Sequence, residues 1–236
     1  MADVNPRDVQ VAEIAQNTTV LRSRTFDRLK FEIEYARQKG TTANSYLIQA
    51  DKTVLIDPPG ESFTHLFIEE LAHHVYLQRI DYVVLGHVNP NRCATLKALL
   101  GIEVSPQITF VCTRAGEVAL RSAFAGQNLR IIVVNTEETV DLGQGHQLQF
   151  IPTPTPRHPE ALCTYDAATR ILYTDKLFSA HICDDQLFDE QWRSLTEDRH
   201  YYFDCLYAAQ AKQVEAALDK LAPLAAKALL LSLIHI

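Results

Sequence analysis

The stretch Leu85-Gly86-His87-Val88-Asn89-Pro90-Asn91-Arg92-Cys93-Ala94-Thr95-Leu96 decides how this chain is read. The apolar run Tyr82-Val83-Val84-Leu85 that leads into it has the character of a buried strand, and the residues after Asn91 that of a helix running to Leu100. A strand that ends in a histidine-bearing loop and opens a helix gathers side chains into one crevice, where chemistry is often found.

Outward from this loop, strands and helices alternate. Upstream, residues 1–17 are polar and unpatterned and read as an extended arm, whereas Thr18–Thr25 alternates and is β-branched, a strand. Phe31, Ile33 and Tyr35 alternate within 27–38, a second strand, and 40–45 read as a turn. Tyr46-Leu47-Ile48 and Thr53–Ile56 form a hairpin around Ala50-Asp51-Lys52, stopped by Asp57-Pro58-Pro59-Gly60 because proline cannot donate to a ladder. Residues 62–74 carry apolar side chains at helical spacing behind Ser62 as N-cap. Downstream, strands are expected at 107–111, 129–134, 139–142, 146–151, 161–166, 171–174 and 228–231, and helices at 114–124, 196–207 and 210–221. His146 reads as exposed hairpin polarity. The segment 151–159, with Pro152, Pro154 and Pro156 at alternate positions, reads as a stiff loop over a cleft. Such alternation predicts an α/β fold, a four-layer α/β/β/α sandwich.

With 236 residues and 47% apolar content, a single domain over 1–236 with one sizeable core is expected. A net charge of −7 argues against a nucleic-acid partner. No apolar run is long enough to enter a membrane as a spanning helix, and the first residues lack the pattern of a signal peptide. The five cysteines, Cys93, Cys112, Cys163, Cys183 and Cys205, are odd in number and widely spaced, which suits reduced thiols in a cytoplasmic chain.

Several motifs, in order, resemble the metallo-β-lactamase-like domain of flavodiiron proteins, in particular the diflavin flavoproteins of cyanobacterial type. The opening T-T-x-N-S-Y-L-I followed by K-T-x-L-I-D matches at residues 41–48 and 52–57. The family's H-x-E-x-D-H-S-G-S-L falls on His87, Asn89, Asn91, Arg92, Cys93, Ala94, Thr95 and Leu96. Matching H-W-P-D-S-M-x-T-Y through Pro159 and Thr164-Tyr165 puts Arg157 where the family has a further His. Matching I-L-F-S-x-D-A-F-G through Ile171-Leu172 and Phe178 puts Lys176 where it has a bridging Asp. The register makes His158 the family's tryptophan position and His181 a structural or cofactor-facing His. Arg199-His200-Tyr201-Tyr202 resembles R-Y-Y-x-N, and the last ligand position, near Ser232 to His235, stays open.

The resemblance implies the four-layer fold, a diiron centre, FMN in a following flavodoxin-like domain and a second flavin in a flavin reductase domain that takes electrons from NAD(P)H. Neither following domain is expected within these residues. It implies reduction of O2 to water, or of NO to N2O, in cyanobacterial-type electron transport and photoprotection, by homodimers or hetero-oligomers with an intact paralogue. Of the matched ligand positions only His87 keeps its family residue. Asn89, Asn91, Arg92, Arg157 and Lys176 replace carboxylates and imidazoles. Arginine has no lone pair to offer, and two cations ~5 Å apart at an effective dielectric of ~20 repel by about 3 kcal/mol. No metal or cofactor is therefore expected in this chain, and catalysis by it alone is not expected. Arg92, Arg157 and Lys176 would bind an anion such as chloride, or recruit carboxylates, with Asp175 and Glu160 as adjacent partners. The alternative function is a pseudoenzyme scaffold or anion-binding module. Taken without the resemblance, His87 reads as a hydrogen-bonded loop histidine, and Arg157 and Lys176 as solvated surface charges.

Overall fold

The computed structural model describes residues 7–26, 39–101, 107–136, 138–189 and 192–231. The strand expected in 27–38 and the open ligand position at 232–235 lie outside the described residues. Among those described, the strands are β1 (Asp8–Ala15), β2 (Thr18–Thr25), β3 (Thr41–Gln49), β4 (Thr53–Ile56), β5 (Ile80–Val84), β6 (Thr109–Cys112), β7 (Arg130–Val133), β8 (Thr139–Gly143), β9 (His146–Pro152), β10 (Leu162–Asp166), β11 (Ile171–Asp175) and β12 (Ala228–Leu231). The helices are α1 (Thr64–His74), α2 (Pro90–Leu100), α3 (Arg114–Ala123), α4 (Thr196–Leu206) and α5 (Ala211–Leu221).

Strands β1 to β7 lie side by side in sequence order in one sheet, and the other runs β12-β11-β10-β9-β8. Three apolar layers follow from the alternation of side chains along the strands. Leu21, Leu47 and Leu55 face Phe67, Leu71, Leu96 and Leu120 of α1 to α3. Val20, Tyr46 and Ile56 meet Leu148, Phe150 and Tyr173 between the sheets. Ile151, Cys163 and Leu172 meet Tyr202, Leu206 and Val214 on α4 and α5. Helices thus cover both outer faces of two packed sheets, the four-layer α/β/β/α sandwich that the alternation predicted.

Two segments depart from the sequence reading. The expected arm is a strand, β1, paired antiparallel with β2 from Asp8↔Arg24 to Ala15↔Thr18, with Val9 and Val11 packed on the helix-side core. The expected turn at 40–45 is mostly the first half of β3, paired with β2 along its length. Thr41, Thr42, Asn44 and Ser45 are buried, and Ser45 Oγ donates to the Asp57 carbonyl at 2.8 Å. Hydroxyls that find such partners can sit inside a sheet, so a run of Thr, Asn and Ser need not be a turn. Ser62 lies within a short 3₁₀ turn, Glu61–Phe63, and does not cap α1.

The topology decides where the site falls. From β4 to β7 the strands are parallel, with Ile56 level with Val84 and Val84 level with Val111. The residues that follow, Asp57 and Leu85-Gly86-His87, therefore emerge together at one end of the sheet. The end of β11 meets them from the other sheet, and Leu162 N–H at the start of β10 donates to the Gly86 carbonyl at 2.9 Å. Gly86 is the tightest point of this junction. A Cβ there would stand 2.5 Å from Asp175 Cβ and 3.0 Å from Asp57 Oδ1, closer than real side chains come. Gly86→Ala should cost about 1–3 kcal/mol of unfolding free energy in denaturant titration. Gly60→Ala, at φ −79 with its nearest neighbour 3.4 Å away, should stay within about 0.5 kcal/mol of the parent.

Candidate functional site

The site is built on the N-terminus of α2. Asn89, in extended conformation, caps the helix, and its Oδ1 accepts the Arg92 N–H at 2.8 Å. Pro90 at the first helical position suits a place where no N–H is required. The cap fixes the rest of the Asn89 amide. With Oδ1 committed, Nδ2 donates to His87 Nε2 at 3.0 Å, so Nε2 carries no proton. The proton sits on Nδ1, which donates to Asp175 Oδ2 at 2.5 Å.

Arg92, one turn into α2, points back under the loop and is buried. Its Nη1 donates to Asp57 Oδ1 at 2.7 Å and to the His87 carbonyl at 3.0 Å, and its Nη2 donates to Asp175 Oδ1 at 3.2 Å. Gly86 N–H adds a bond to Asp57 Oδ1 at 2.7 Å. Asp57 and Asp175 both hold left-handed backbone conformations, φ 52 and 48, which aspartate tolerates better than most residues.

Burial and charge set the protonation states. Burial, reinforced by the Asp175 charge, raises the Asp57 carboxyl to about 7 against the pull of Arg92 and Gly86 N–H. Burial would raise Asp175 too, but His87 and Arg92 outweigh it and hold that carboxyl well below the usual carboxylate range. Burial next to Arg92 lowers His87 to about 3. The ring is therefore neutral near pH 7 and acts on Asp175 as an N–H donor rather than as a cation. One arginine cannot neutralise two buried carboxylates, and a proton on Asp57 completes the balance.

The other residues expected at the site separate. Lys176 lines a cleft with His87, His158, Asp175 and Tyr207, whose cavity of about 20 Å³ has room for roughly one water molecule. The Lys176 ammonium has no hydrogen bond or ion pair to another described residue. Arg157 is exposed and does not line the cleft. Asn91 is half-buried, with its Cβ beside Gly60. Asp175 pairs with His87 and Arg92, and Glu160 lies 3.8 Å from His158 Nδ1. The His158 and His87 rings meet edge to face at 6.2 Å. His181 Nδ1 lies 2.8 Å from Thr41 Oγ1, and its ring packs on Tyr202. His146 is buried, not exposed. Its Nδ1 lies 2.9 Å from Asp166 Oδ2, which also accepts from Thr169 Oγ1, so the hairpin histidine closes a polar cluster inside the second sheet. The five cysteines are free thiols, four of them buried. Sequence reasoning missed Asp57 as a site residue. Its signal was a carboxylate at the end of a parallel strand, masked by the prolines that follow.

Fold and site together define a β-lactamase-like α/β sandwich with a small cavity at the strand ends, bordered by His87, His158, Asp175 and Lys176. The model of the ODP family beta lactamase matches residues 41–230, and the chain belongs to that family. It is 61% identical over 222 residues to the putative diflavin flavoprotein A 6 of Nostoc, covering 94% of this chain and 39% of that protein. Among solved structures it superposes with a TM-score of 0.92 on a fragment of the Nostoc putative diflavin flavoprotein A 5, at 53% identity, covering 98% of this chain and 90% of the fragment. It also matches the metal-soaked Flv1 flavodiiron core from Synechocystis, with a TM-score of 0.93 at 55% identity, covering 97% of this chain and 57% of that core. The chain spans about two-fifths of the length of the curated relatives it matches. Among the described residues no helix is long and apolar enough to cross a membrane.

A diiron centre, which flavodiiron relatives imply, does not fit the residues present. Both ring nitrogens of His87 are engaged, one as donor to Asp175 and one as acceptor from Asn89. Arg92 contributes only donors, Asn89 Oδ1 is committed to the helix cap, and Lys176 brings a positive charge.

The protonation states set a pH signature. Between about pH 4 and 6.5 the unfolded chain binds a proton at His87 that the folded chain refuses, so this group makes stability rise with pH. Over the same window folded Asp57 holds a proton that the unfolded chain has released, so this group makes stability fall with pH up to about 7. The two slopes oppose each other in the native protein. Asp57→Asn should unmask the His87 slope, and chemical denaturation across pH 4–7 should then show stability climbing with pH more steeply than in the parent. An unchanged slope would contradict these assignments.

Proposed function

We propose that this chain is the β-lactamase-like domain of a diflavin flavoprotein that takes part in NAD(P)H-to-oxygen electron transfer, and that its own cavity does not perform the oxygen step. The observation that carries this reading is the Arg92 guanidinium, seated between Asp57 and Asp175 in a chain 61% identical to a diflavin flavoprotein. Its likeness to the Nostoc A 5 fragment and the Synechocystis flavodiiron core supports the family setting.

In this reading flavodoxin-like and flavin reductase domains lie outside the present sequence. Electrons from NAD(P)H pass through their flavins, and O2 goes to water on an intact paralogue joined in a cytoplasmic hetero-oligomer of cyanobacterial type. This domain then shapes the assembly. Its His87 and Asn89, at matched family ligand positions, are held with Asp175 in a fixed hydrogen-bond chain. A homodimer without oxygen chemistry is the limiting case.

Lys176 favours a second reading, a scaffold that senses an anion. Its ammonium stands beside a water-sized cavity, without a described partner, in position to hold chloride or one oxygen of a larger anion. Arg157 would assist only from the exposed rim, and Arg92 is already taken up by carboxylates.

Oxygen uptake driven by NAD(P)H separates the two. The full-length protein should consume little O2 alone, and its mixture with an intact paralogue should exceed the paralogue's own rate. No gain on mixing, together with a chloride-dependent rise in Tm that Lys176→Met abolishes, would overturn the first reading in favour of the second.

A further inference from the structure

The atoms around Arg92 are arranged as donors around a cation. We propose that Arg92 is the resident cation of this domain. Its guanidinium fills an oxygen cage made by Asp57, Asp175 and the His87 carbonyl, and that cage takes a hard divalent cation such as Mn2+ when the guanidinium is removed. This rests on the misfit to a diiron centre described above, not on the electron-transfer reading.

Three observations carry it. First, the cage oxygens come from three strand ends on two sheets: Asp57 after β4, His87 after β5 and Asp175 at the end of β11. All three lie within 2.7–3.2 Å of the two terminal nitrogens of one side chain. Second, both carboxylates stand on left-handed backbone, φ 52 and 48, which aspartate adopts more readily than most residues. Both side chains converge on the same guanidinium. Third, each carboxylate is steadied by a separate donor, Gly86 N–H on Asp57 and His87 Nδ1–H on Asp175. Hydrogen-bonded carboxylates of this kind are what orient the ligands of metal sites.

The chemistry of the cage selects its guest. Carboxylate and carbonyl oxygens suit hard divalent ions, and the imidazole serves as an orienting donor rather than a ligand. The cage is also distinct from the matched family positions. Asp57 and Asp175 both lie outside them, and Lys176 holds the bridging place. The consequence is a domain whose two sheets are joined by a covalently attached cation, so its junction forms without any supply of metal.

The test uses the whole 236-residue chain. Arg92→Ala is compared with the parent in thermal melts, and Mn2+ binding is read as loss of the free-ion EPR signal. The parent should give no Mn2+-dependent shift. Arg92→Ala should have a lowered Tm that rises again with Mn2+ or with millimolar guanidinium, and should bind Mn2+ at least about tenfold more tightly than the parent. Adding Asp57→Asn should abolish the Mn2+ response. If Arg92→Ala is unfolded on its own, recovery of its circular dichroism by Mn2+ supports the proposal. A variant that stays unfolded with Mn2+ overturns it. So does one that folds without binding Mn2+, or one whose Mn2+ binding survives Asp57→Asn.

Discussion

One buried guanidinium shared by two carboxylates is the constraint on which the rest of this structure depends. Arg92 reaches from the first turn of α2 to the ends of β4 and β11, so a single side chain joins the two sheets where their strands terminate. At an effective dielectric of ~20, the contact with the ionised Asp175 is worth about 4 kcal/mol of attraction, while taking each ion out of water costs several kcal/mol. These terms nearly cancel. The network therefore adds little net stability, but breaking it would leave a buried charge unpaired at a cost of about 3–5 kcal/mol. Its value lies in specifying geometry. It fixes where Asp57 and Asp175 point and leaves room only for glycine at position 86, while the Asn89 cap on the Arg92 backbone N–H separately sets the tautomer of His87.

The same interaction bears on the two ways in which the sequence reading allowed the repulsion to be relieved, an anion or recruited carboxylates. Cations in place of family ligands imply repulsion if they are left facing one another. Arg92 meets carboxylates already present beside it, one of them hydrogen-bonded to His87, and it leaves Lys176 alone at the small cleft. The Arg92 cluster is packed solid behind the cleft, and the cleft itself, of about one water's volume, borders His87 and His158.

Most of the fold was legible from periodicity, and the failures share a cause. The strands β2, β4, β9 and β11 and the helices α1, α3 and α5 were all expected; the helices bury one face each, whereas β11 is buried along its whole length. The strand β1 was missed because its alternating Val9 and Val11 are embedded among Asp, Gln and Glu. The first half of β3 was missed because Thr41, Thr42, Asn44 and Ser45 are polar residues that burial tolerates once they are hydrogen-bonded. His146 was misjudged for the same reason, since its partner Asp166 is 20 residues away and only the folded sheet joins them. At the site, the motif frame located His87, Asn89 and Arg92. The choice of Asp57 and Asp175 as partners of Arg92 depends on parallel strand register and on contact between two sheets, neither of which local sequence encodes.

The central claim is that Arg92 occupies the oxygen cage as its cation and that iron does not displace it. Crystals of the chain soaked anaerobically in Fe(II), with anomalous diffraction recorded at the iron edge, test this most directly. The account predicts no anomalous peak in the cavity and the Arg92 guanidinium still within hydrogen-bonding distance of Asp57 and Asp175. A strong peak bonded to His87, with Arg92 swung out of the cavity, would contradict it.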